Sequence, residues 1–209
     1  MAQYADDAAA LLDALDWDRC AVFGVSFGGM VAQEFAIRHP DRISRMVLAC
    51  TSSGGDGQPS YPLHELEDLP PEERALRAME ISDTRCDAQW REAHPEATAR
   101  ILEMMAKRAQ AGAGEEGREE GMRLQLEARS HHDTFDRLRD LPMPVYLCGG
   151  RHDGIAPPAN MEAIDRQIPD SSLEFFDGGH LFLMQDSAAF PRIIEFLSDG
   201  RDPEADRVA

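Results

Sequence analysis

Short continuous apolar runs alternate along the chain with segments in which apolar residues recur at helical spacing. Runs of this kind are typical of strands that are buried on both faces of a parallel sheet. The apolar runs lie at 19–25, 43–50, 145–148 and 173–176, and the segments with helical spacing lie at 6–16, 30–39 and 190–197. This alternation predicts an α/β fold in which a mostly parallel sheet of about four strands carries helices on both faces.

A long segment between the second and third runs differs from the rest of the chain. Residues 58–131 are charged, rich in Met and Ala, and helical in pattern, and the glycine-containing stretch at 112–121 predicts a flexible connector between helices. We therefore expect a helical insertion in the α/β core, and a solvated end at 199–209. The predicted units are a first core segment, a helical cap and a second core segment, at 1–57, 58–131 and 132–209.

Composition and charge exclude two classes of partner and indicate a cellular compartment. The 209 residues include 39 acidic and 21 basic side chains, which gives a net charge of −18 at pH 7. Such a field repels phosphate backbones and anionic lipid, so we expect no nucleic-acid partner and no membrane partner. No apolar run approaches the roughly 20 residues of a spanning helix, and the acidic start at 1–7 is unlike a signal peptide. The four widely spaced cysteines predict reduced thiols in a cytoplasmic protein.

The sequence Gly-Val-Ser-Phe-Gly-Gly at 24–29 joins a predicted strand to a predicted helix. A serine at such a joint lies in a sharp turn that exposes its hydroxyl above the carboxyl end of the sheet, and small residues two positions before and after it relieve the crowding. A dinucleotide-binding loop would require glycine in place of Ser26, and no Gly-Lys-Ser or Gly-Lys-Thr follows as it does in a P-loop. The motif therefore predicts a nucleophilic serine, and the alternative is a glycine-rich turn with an incidental serine.

A nucleophilic serine needs a general base, and the base needs an orienting carboxylate. Asp153 follows the third predicted strand and His180 follows the fourth, so both lie, like Ser26, just past the carboxyl end of a strand. Taken singly, Asp153 is also suited to cap the next helix, and His180 is also suited to a turn. Taken together, the three residues predict a catalytic triad in the chain order Ser, Asp, His. Asp56, which follows the second strand, is the alternative acid.

These motifs resemble those of the α/β-hydrolase superfamily, and within it the capped group that contains enol-lactonases, carbon–carbon bond hydrolases and small esterases. The resemblance extends over nearly the whole chain. It rests on residues 24–32, 149–158 and 177–180, and on 125–129 before 131–133, which resembles the segment by which many members return from the cap to the core. It implies the α/β-hydrolase fold with a helical cap.

The resemblance also implies a role for each candidate residue. Ser26 would be the nucleophile, His180 the general base and then the general acid, and Asp153 the orienting carboxylate. The backbone N–H of Phe27 would be one oxyanion donor. The implied function is that of a serine hydrolase acting on a small-molecule ester, lactone or related carbonyl compound through an acyl-enzyme, with no metal and no organic cofactor. Carbon–carbon bond hydrolases and cofactor-free haloperoxidases share this triad and are alternatives.

One departure from the family pattern concerns the segment before Ser26. Family members have several strands there and a loop, usually rich in His and Gly, that gives the second oxyanion donor, but no His-Gly pair precedes Ser26 in this sequence. We therefore expect the N-terminal strands to be missing and the strand at 19–25 to form an open edge, which favours pairing with a second copy. The alternative function is that of a catalytically impaired fragment or pseudoenzyme that acts through pairing or binding.

Two further groups of residues have structural interpretations. The run His131-His132-Asp133 contains metal-ligating side chains, but neighbouring side chains on a helix diverge by roughly 100°, so we predict no metal site there and expect His132 at most to shape the pocket. Met104, Met105 and Met122 predict packing within the cap, where methionines also form adaptable apolar pocket walls.

Overall fold

The structure of the chain, a computed structural model, describes residues 1–112 and 114–198. Each predicted apolar run forms a strand, and the strands are β1 (Cys20–Val25), β2 (Ile43–Ala49), β3 (Val145–Gly150) and β4 (Ser171–Phe176). They form one sheet in the order β1-β2-β3-β4, and all three neighbouring pairs are parallel. The predicted four-stranded parallel sheet is confirmed. The solvated end predicted at 199–209 lies outside the described residues.

Helices surround the sheet and make up most of the insertion predicted at 58–131. They are α1 (Ala2–Ala14), α2 (Phe27–Arg38), α3 (Pro71–Ser82), α4 (Ala88–Ala93), α5 (Pro95–Gln110), α6 (Arg118–Ser130), α7 (Pro158–Gln167), α8 (Phe182–Gln185) and α9 (Ala189–Ser198). Both α1 and α2 begin earlier than the apolar spacing predicts. The N-terminal half of α1 is tied to α2 by an ion pair of 2.7 Å between Asp6 and Arg38, and α2 starts directly after the turn at Ser26. None of the helices in the described ranges is both long enough and apolar enough to cross a membrane.

Alternate side chains of β2 face two separate cores. Met46 and Leu48 pack with α1, α2 and α7 on one side of the sheet, and Val47 and Ala49 pack with α8 and α9 on the other side. All four side chains are fully buried. Because helices cover both faces, both sets of side chains must be apolar, and the strand therefore appears in the sequence as a continuous apolar run.

The insertion predicted at 58–131 contains α3 to α6 and, in the part of it that the structure describes, no named strand. The connector predicted at 112–121 is too long, because α6 includes Gly121. Arg123 forms ion pairs of 2.7 Å with Glu120 and 3.0 Å with Glu127 in this helix. Pairs at these spacings stabilise a helix and help to offset the roughly 1 kcal/mol that a glycine costs in its interior.

The strand β1 lies at one edge of the described sheet. Its strand partner among residues 1–112 and 114–198 is β2 alone. Phe23 and Val25 of β1 are 36% and 37% exposed, whereas the apolar side chains of β2 are buried. The described sheet therefore has the open edge that the sequence leads us to expect, and pairing of this edge with a second copy stays a prediction.

We expect Leu48→Ala to lower the free energy of unfolding by about 2–5 kcal/mol, because Leu48 is fully buried in the centre of the sheet and its truncation leaves a cavity. Leu11→Ala is the matched control, since Leu11 is 59% exposed on α1, and it should change that free energy by less than about 0.5 kcal/mol. Urea unfolding followed by circular dichroism measures both. Equal effects of the two substitutions would contradict the buried position of Leu48.

Candidate active site

Ser26 lies in a strained turn between β1 and α2. Its φ angle is +53°, a left-handed value that a residue with a side chain adopts only when its surroundings impose it. Two contacts hold this backbone from the side of β2. The Ser26 N–H donates to the carbonyl of Ala49 at 2.8 Å, and the Thr51 hydroxyl donates to the carbonyl of Ser26 at 2.8 Å.

The turn requires Gly24, as its spacing predicts, but the second required glycine is Gly29 and not Gly28. A side chain at Gly24 would lie 2.6 Å from the carbonyl oxygen of Gly28 and 2.8 Å from the Cβ of Ala32. A side chain at Gly29 would lie 2.7 Å from the Cβ of Thr51. At Gly28, the position two residues after the serine, a Cβ would meet nothing within 4 Å. Close approach of α2 to β1 and to the loop after β2 is therefore what excludes side chains here.

The structure brings the three sequence-predicted side chains together. The His180 ring lies 2.9 Å from the Ser26 Oγ through its Nε2 and 2.8 Å from an Asp153 carboxylate oxygen through its Nδ1. Ser26, Asp153 and His180 follow the carboxyl ends of β1, β3 and β4. These ends meet at one edge because all the strands are parallel, and open α/β sheets place their sites there.

Asp153 is held by backbone amides as well as by the histidine. It is 3% exposed, and its Oδ1 accepts hydrogen bonds from the N–H groups of Ile155 at 2.8 Å and Ala156 at 2.9 Å, which leaves Oδ2 for His180. It does not cap the next helix, which begins at Pro158. The alternative acid, Asp56, is exposed in a short 3₁₀ turn, and it is not the carboxylate that His180 contacts.

These hydrogen bonds determine which nitrogen of His180 carries the proton. A carboxylate oxygen only accepts, so the Nδ1–H of His180 must donate to Asp153. In the neutral ring, Nε2 then has a free lone pair, and it can accept the hydrogen bond of the Ser26 hydroxyl. This is the arrangement in which a histidine can remove the proton of a serine.

The end of α3 supports the loop that carries His180. The N–H of His180 donates to the carbonyl of Ser82 at 2.6 Å, and a Cβ on Gly179 would lie 2.0 Å from that same carbonyl oxygen. Next to it, Asp83 accepts hydrogen bonds from Arg85 and Gln185. Burial by itself would raise the pKa of Asp83, but these hydrogen bonds lower it below its usual value. The helical insertion therefore helps to position the histidine.

A pocket of about 190 Å³ opens beside Ser26. Its walls are mainly apolar, with Phe27, Leu63 and Leu126 among them, and Arg129 contributes a cationic group. Burial lowers the pKa of the Arg129 guanidinium, while the nearby Asp153 opposes that shift. The N–H of Phe27 has no hydrogen-bond acceptor among the described residues, and it is therefore free to bind a developing oxyanion.

The described residues contain one group that has the ligand types of a metal site. The ligand atoms of Cys50, Asp153 and His180 lie within 4.8 Å of one another. Burial raises the pKa of the Cys50 thiol well above its usual value, so the thiol stays protonated and is a poor metal ligand. In the run predicted not to bind metal, His131 is exposed and His132 is buried, which places the two rings in different surroundings.

The sequence prediction missed a buried polar chain next to this site. The amide of Gln33 donates to the carbonyl of Ser52 at 3.1 Å and accepts from the Thr134 hydroxyl at 2.7 Å. The Nε2 of His132 lies 3.4 Å from that hydroxyl. Burial lowers the pKa of His132 from 6.5 to about 4, so its ring is neutral at pH 7. The 131–133 run was visible in the sequence, but the hydrogen bond that joins the neighbouring Thr134 to Gln33, about 100 residues away, was not.

Comparisons with known proteins place these observations in a family context. A sequence profile described as "Alpha/beta hydrolase family" matches residues 1–192. The chain is 30% identical over 196 residues to a poly(3-hydroxyalkanoate) depolymerase from Ectopseudomonas oleovorans, and the aligned region covers 92% of this chain and 66% of the depolymerase. It is 25% identical over 194 residues to 3-oxoadipate enol-lactonase 2 from Acinetobacter baylyi, and the aligned region covers 92% of this chain and 68% of the lactonase.

A similar fold occurs in solved structures. A meta-cleavage product hydrolase from Pseudomonas fluorescens has a TM-score of 0.70 to this chain at 18% identity, over 93% of this chain and 70% of the hydrolase. The present chain spans about two thirds of the length of the curated relatives that it matches.

The crowding at Gly24 yields a test with a control in the same motif. We expect Gly24→Ala to lower the free energy of unfolding by about 1–3 kcal/mol, because its Cβ would overlap the backbone of α2. Gly28→Ala should leave that free energy unchanged or raise it by up to about 1 kcal/mol, since its Cβ meets open space in a helix. Urea unfolding of both variants measures the difference. A larger loss for Gly28→Ala than for Gly24→Ala would contradict the geometry of the turn.

The buried ring of His132 makes stability dependent on pH. Between pH 6.5 and about 4 the unfolded chain binds a proton at His132 that the folded chain does not, so stability falls as the pH is lowered through that window. We expect the parent to lose roughly 2–3 kcal/mol more than His132→Asn between pH 7 and pH 4.5. Urea unfolding at the two pH values measures the difference. Equal losses in the parent and in the variant would show that the His132 pKa is not lowered.

Proposed function

The chain belongs to the alpha/beta hydrolase family, and from that membership and the contacts of Ser26 we propose that it is a serine hydrolase for a small ester, lactone or related carbonyl compound. The observation that supports this most strongly is the His180 ring, which lies within hydrogen-bond distance of both the Ser26 hydroxyl and the Asp153 carboxylate. A serine hydroxyl is a weak nucleophile, and it becomes effective when an oriented base removes its proton.

The reaction follows from the positions of these groups. Ser26 Oγ attacks the carbonyl carbon as Nε2 of His180 takes the hydroxyl proton, and the ring then gives this proton to the leaving oxygen. An acyl-enzyme on Ser26 remains. His180 next takes a proton from water as the water oxygen attacks the acyl carbon. The bond between that carbon and Ser26 Oγ then breaks, the acid is released, and Nε2 returns its proton to Oγ. Asp153 holds the ring in the required orientation throughout and stabilises its protonated form.

Backbone N–H groups stabilise the negative oxygen that forms in each attack. The N–H of Phe27, which lies at the start of α2 and has no acceptor in the described structure, is one such donor. The dipole of α2 adds a favourable potential at the same point. One donor of this type typically contributes about 10²–10³ to the rate.

The class of substrate is proposed from the pocket and from the relatives. The pocket of about 190 Å³ beside Ser26 fits a small acyl group. The names of the two curated relatives refer to a polymer of hydroxyalkanoates and to an enol-lactone, both of which contain an ester-type carbonyl. We therefore propose that this chain hydrolyses esters or lactones rather than carbon–carbon bonds.

Covalent labelling tests the proposed nucleophile directly. We expect a fluorophosphonate probe to add once to the parent chain and not to Ser26→Ala, because only the serine next to His180 is activated. Ser172→Ala is the matched control, since Ser172 is exposed at the amino end of β4, whereas Ser26, Asp153 and His180 follow the carboxyl ends of strands, and its label should equal that of the parent. Intact-mass spectrometry measures the adduct. A folded parent chain that takes no adduct would refute the proposal.

The same assay distinguishes the two candidate acids. Asp153→Asn should slow labelling by about 10³–10⁴, since the histidine loses the carboxylate that orients it. Asp56→Asn should label at the parental rate, because Asp56 is exposed and does not contact His180. A large effect of Asp56→Asn together with a small effect of Asp153→Asn would reverse the assignment.

A further inference from the structure

A second pocket adjoins the one beside Ser26. It has a volume of about 200 Å³ and shares Leu126 and Arg129 with the first pocket, so these two side chains form a common wall. Ser52 and His132 lie among the other residues of its lining. The two pockets together therefore reach from Ser26, which lines the first, to His132, which lines the second and ends the buried polar chain.

The hydrogen bonds of that chain assign the proton of His132. Because the Gln33 amide nitrogen donates to the Ser52 carbonyl, its amide oxygen is the atom that accepts from the hydroxyl of Thr134. The Thr134 hydroxyl has one hydrogen, and its two acceptors within reach are this oxygen at 2.7 Å and the Ser53 carbonyl at 3.3 Å. Its oxygen can therefore only accept from His132, and the Nε2 of His132 carries the proton.

The other nitrogen of His132 is then a bare acceptor. Its Nδ1 is buried and has no hydrogen-bond partner among the described residues, and the residue as a whole is only 6% exposed. Burial keeps the ring neutral at pH 7, because it lowers the pKa of His132 to about 4. A buried acceptor without a donor is costly, since it has lost its hydrogen bond to water. A ligand that brings a proton donor to Nδ1 removes this cost.

Arg129 adds donors on the wall that both pockets share. One guanidinium nitrogen donates to the carbonyl of Tyr61 at 2.7 Å. Within residues 1–112 and 114–198 its other N–H groups have no protein acceptor, and no carboxylate lies within ion-pair distance of it. A guanidinium has five N–H groups, so Arg129 keeps donors that no described residue uses.

We propose that this second pocket is a substrate compartment that binds a hydroxyl group on the acyl part of the ester or lactone. The hydroxyl donates to Nδ1 of His132, and its oxygen accepts from Arg129. The assignment rests on the proposed hydrolase function. It makes His132 and Arg129 specificity-determining residues for a hydroxyacyl substrate.

Other functional groups fit this pair less well. A carboxylate would accept from Arg129 but has no proton for Nδ1 of His132 at pH 7. An ammonium group would donate to Nδ1 but would be repelled by the guanidinium. An alkyl group would leave both residues unpaired. A neutral hydroxyl meets both requirements, because it is a donor and an acceptor at once.

A binding experiment tests this compartment separately from catalysis. The Ser26→Ala chain cannot form an acyl-enzyme, and it is titrated with methyl butanoate and with its 2-, 3- and 4-hydroxy derivatives by NMR. We expect at least one hydroxy ester to bind about tenfold more tightly than methyl butanoate, which corresponds to one hydrogen bond with a buried partner. Its addition should shift the imidazole Nδ1 resonance of His132, and methyl butanoate should not shift it.

Variants at the two residues supply the controls. In the Ser26→Ala background, His132→Phe should remove the preference for the hydroxy ester, while His132→Asn, which keeps a side-chain acceptor, should restore part of it. Arg129→Met should lower the preference and leave the fold intact, because this side chain lies partly exposed at the end of α6. If His132→Phe does not fold, Arg129→Met and the Nδ1 resonance still show whether the second pocket binds the hydroxyl group.

The outcomes separate this inference from the proposed function. Equal binding of all four esters, with no shift of the Nδ1 resonance, would refute the compartment and would mean that water alone fills it. A preference for a hydroxy ester that disappears in His132→Phe supports the compartment. Failure of the fluorophosphonate to label the parent chain would refute the hydrolase function by itself, since the binding assay involves no reaction at Ser26.

Discussion

The close contact between α2 and the carboxyl ends of β1 and β2 is the constraint on which the site depends. It holds Ser26 at a φ angle of +53°. The contact is possible because Gly24 and Gly29 have no side chain, which lets α2 approach β1 and Thr51 closely. The Thr51 hydroxyl also donates a hydrogen bond to the Ser26 carbonyl. If α2 moved outward, the turn could relax. The serine hydroxyl would then leave the position at which His180 reaches it. The strain at Ser26 is thus maintained by packing that extends through α2 into the core.

The helical insertion is coupled to the same site and is more than a cover over it. Ser82 at the end of α3 accepts the N–H of His180, and Ile81 accepts the N–H of Gly154, the residue after the candidate acid. The N–H of Thr84 donates to the carbonyl of His152, the residue before that acid. The loops that carry Asp153 and His180 are therefore each tied to the first helix of the insertion. A change in the position of α3 would therefore also move Asp153 and His180.

Much of this arrangement could be predicted from the sequence because it depends on local patterns. Strands buried on both faces require continuous apolar runs, and a parallel sheet brings the residues after each run to one edge, which is why Ser26, Asp153 and His180 could be grouped. The requirement for glycine at 29 rather than at 28 could not be predicted, since it arises from Thr51 in the loop after β2. The short helix α8 was missed because four residues are too few to show helical spacing.

The buried chain at His132 was out of reach for a related reason. The sequence predicts that His132 binds no metal and at most shapes the pocket. Only the fold brings Gln33 and Thr134 together beside His132 and fixes the position of its proton. Glutamine and threonine also carry no pattern that marks them as partners. A polar contact of this kind depends on one pair of atoms, so the sequence contains no pattern that predicts it. An apolar run is a pattern of many residues, so it predicts a strand even when single residues vary.

The charge of the chain bears on the kind of substrate that this site can take. A net charge of −18 repels anions as they approach, and Arg129 is the partly buried cation in the described lining of the pocket beside Ser26. An anionic substrate would have to overcome that long-range field in order to gain one local contact. A neutral hydroxy ester meets no such barrier and still uses the guanidinium as a hydrogen-bond donor. The acidic surface and the pair formed by His132 and Arg129 therefore favour the same chemistry, that of an uncharged, hydroxyl-bearing carbonyl compound.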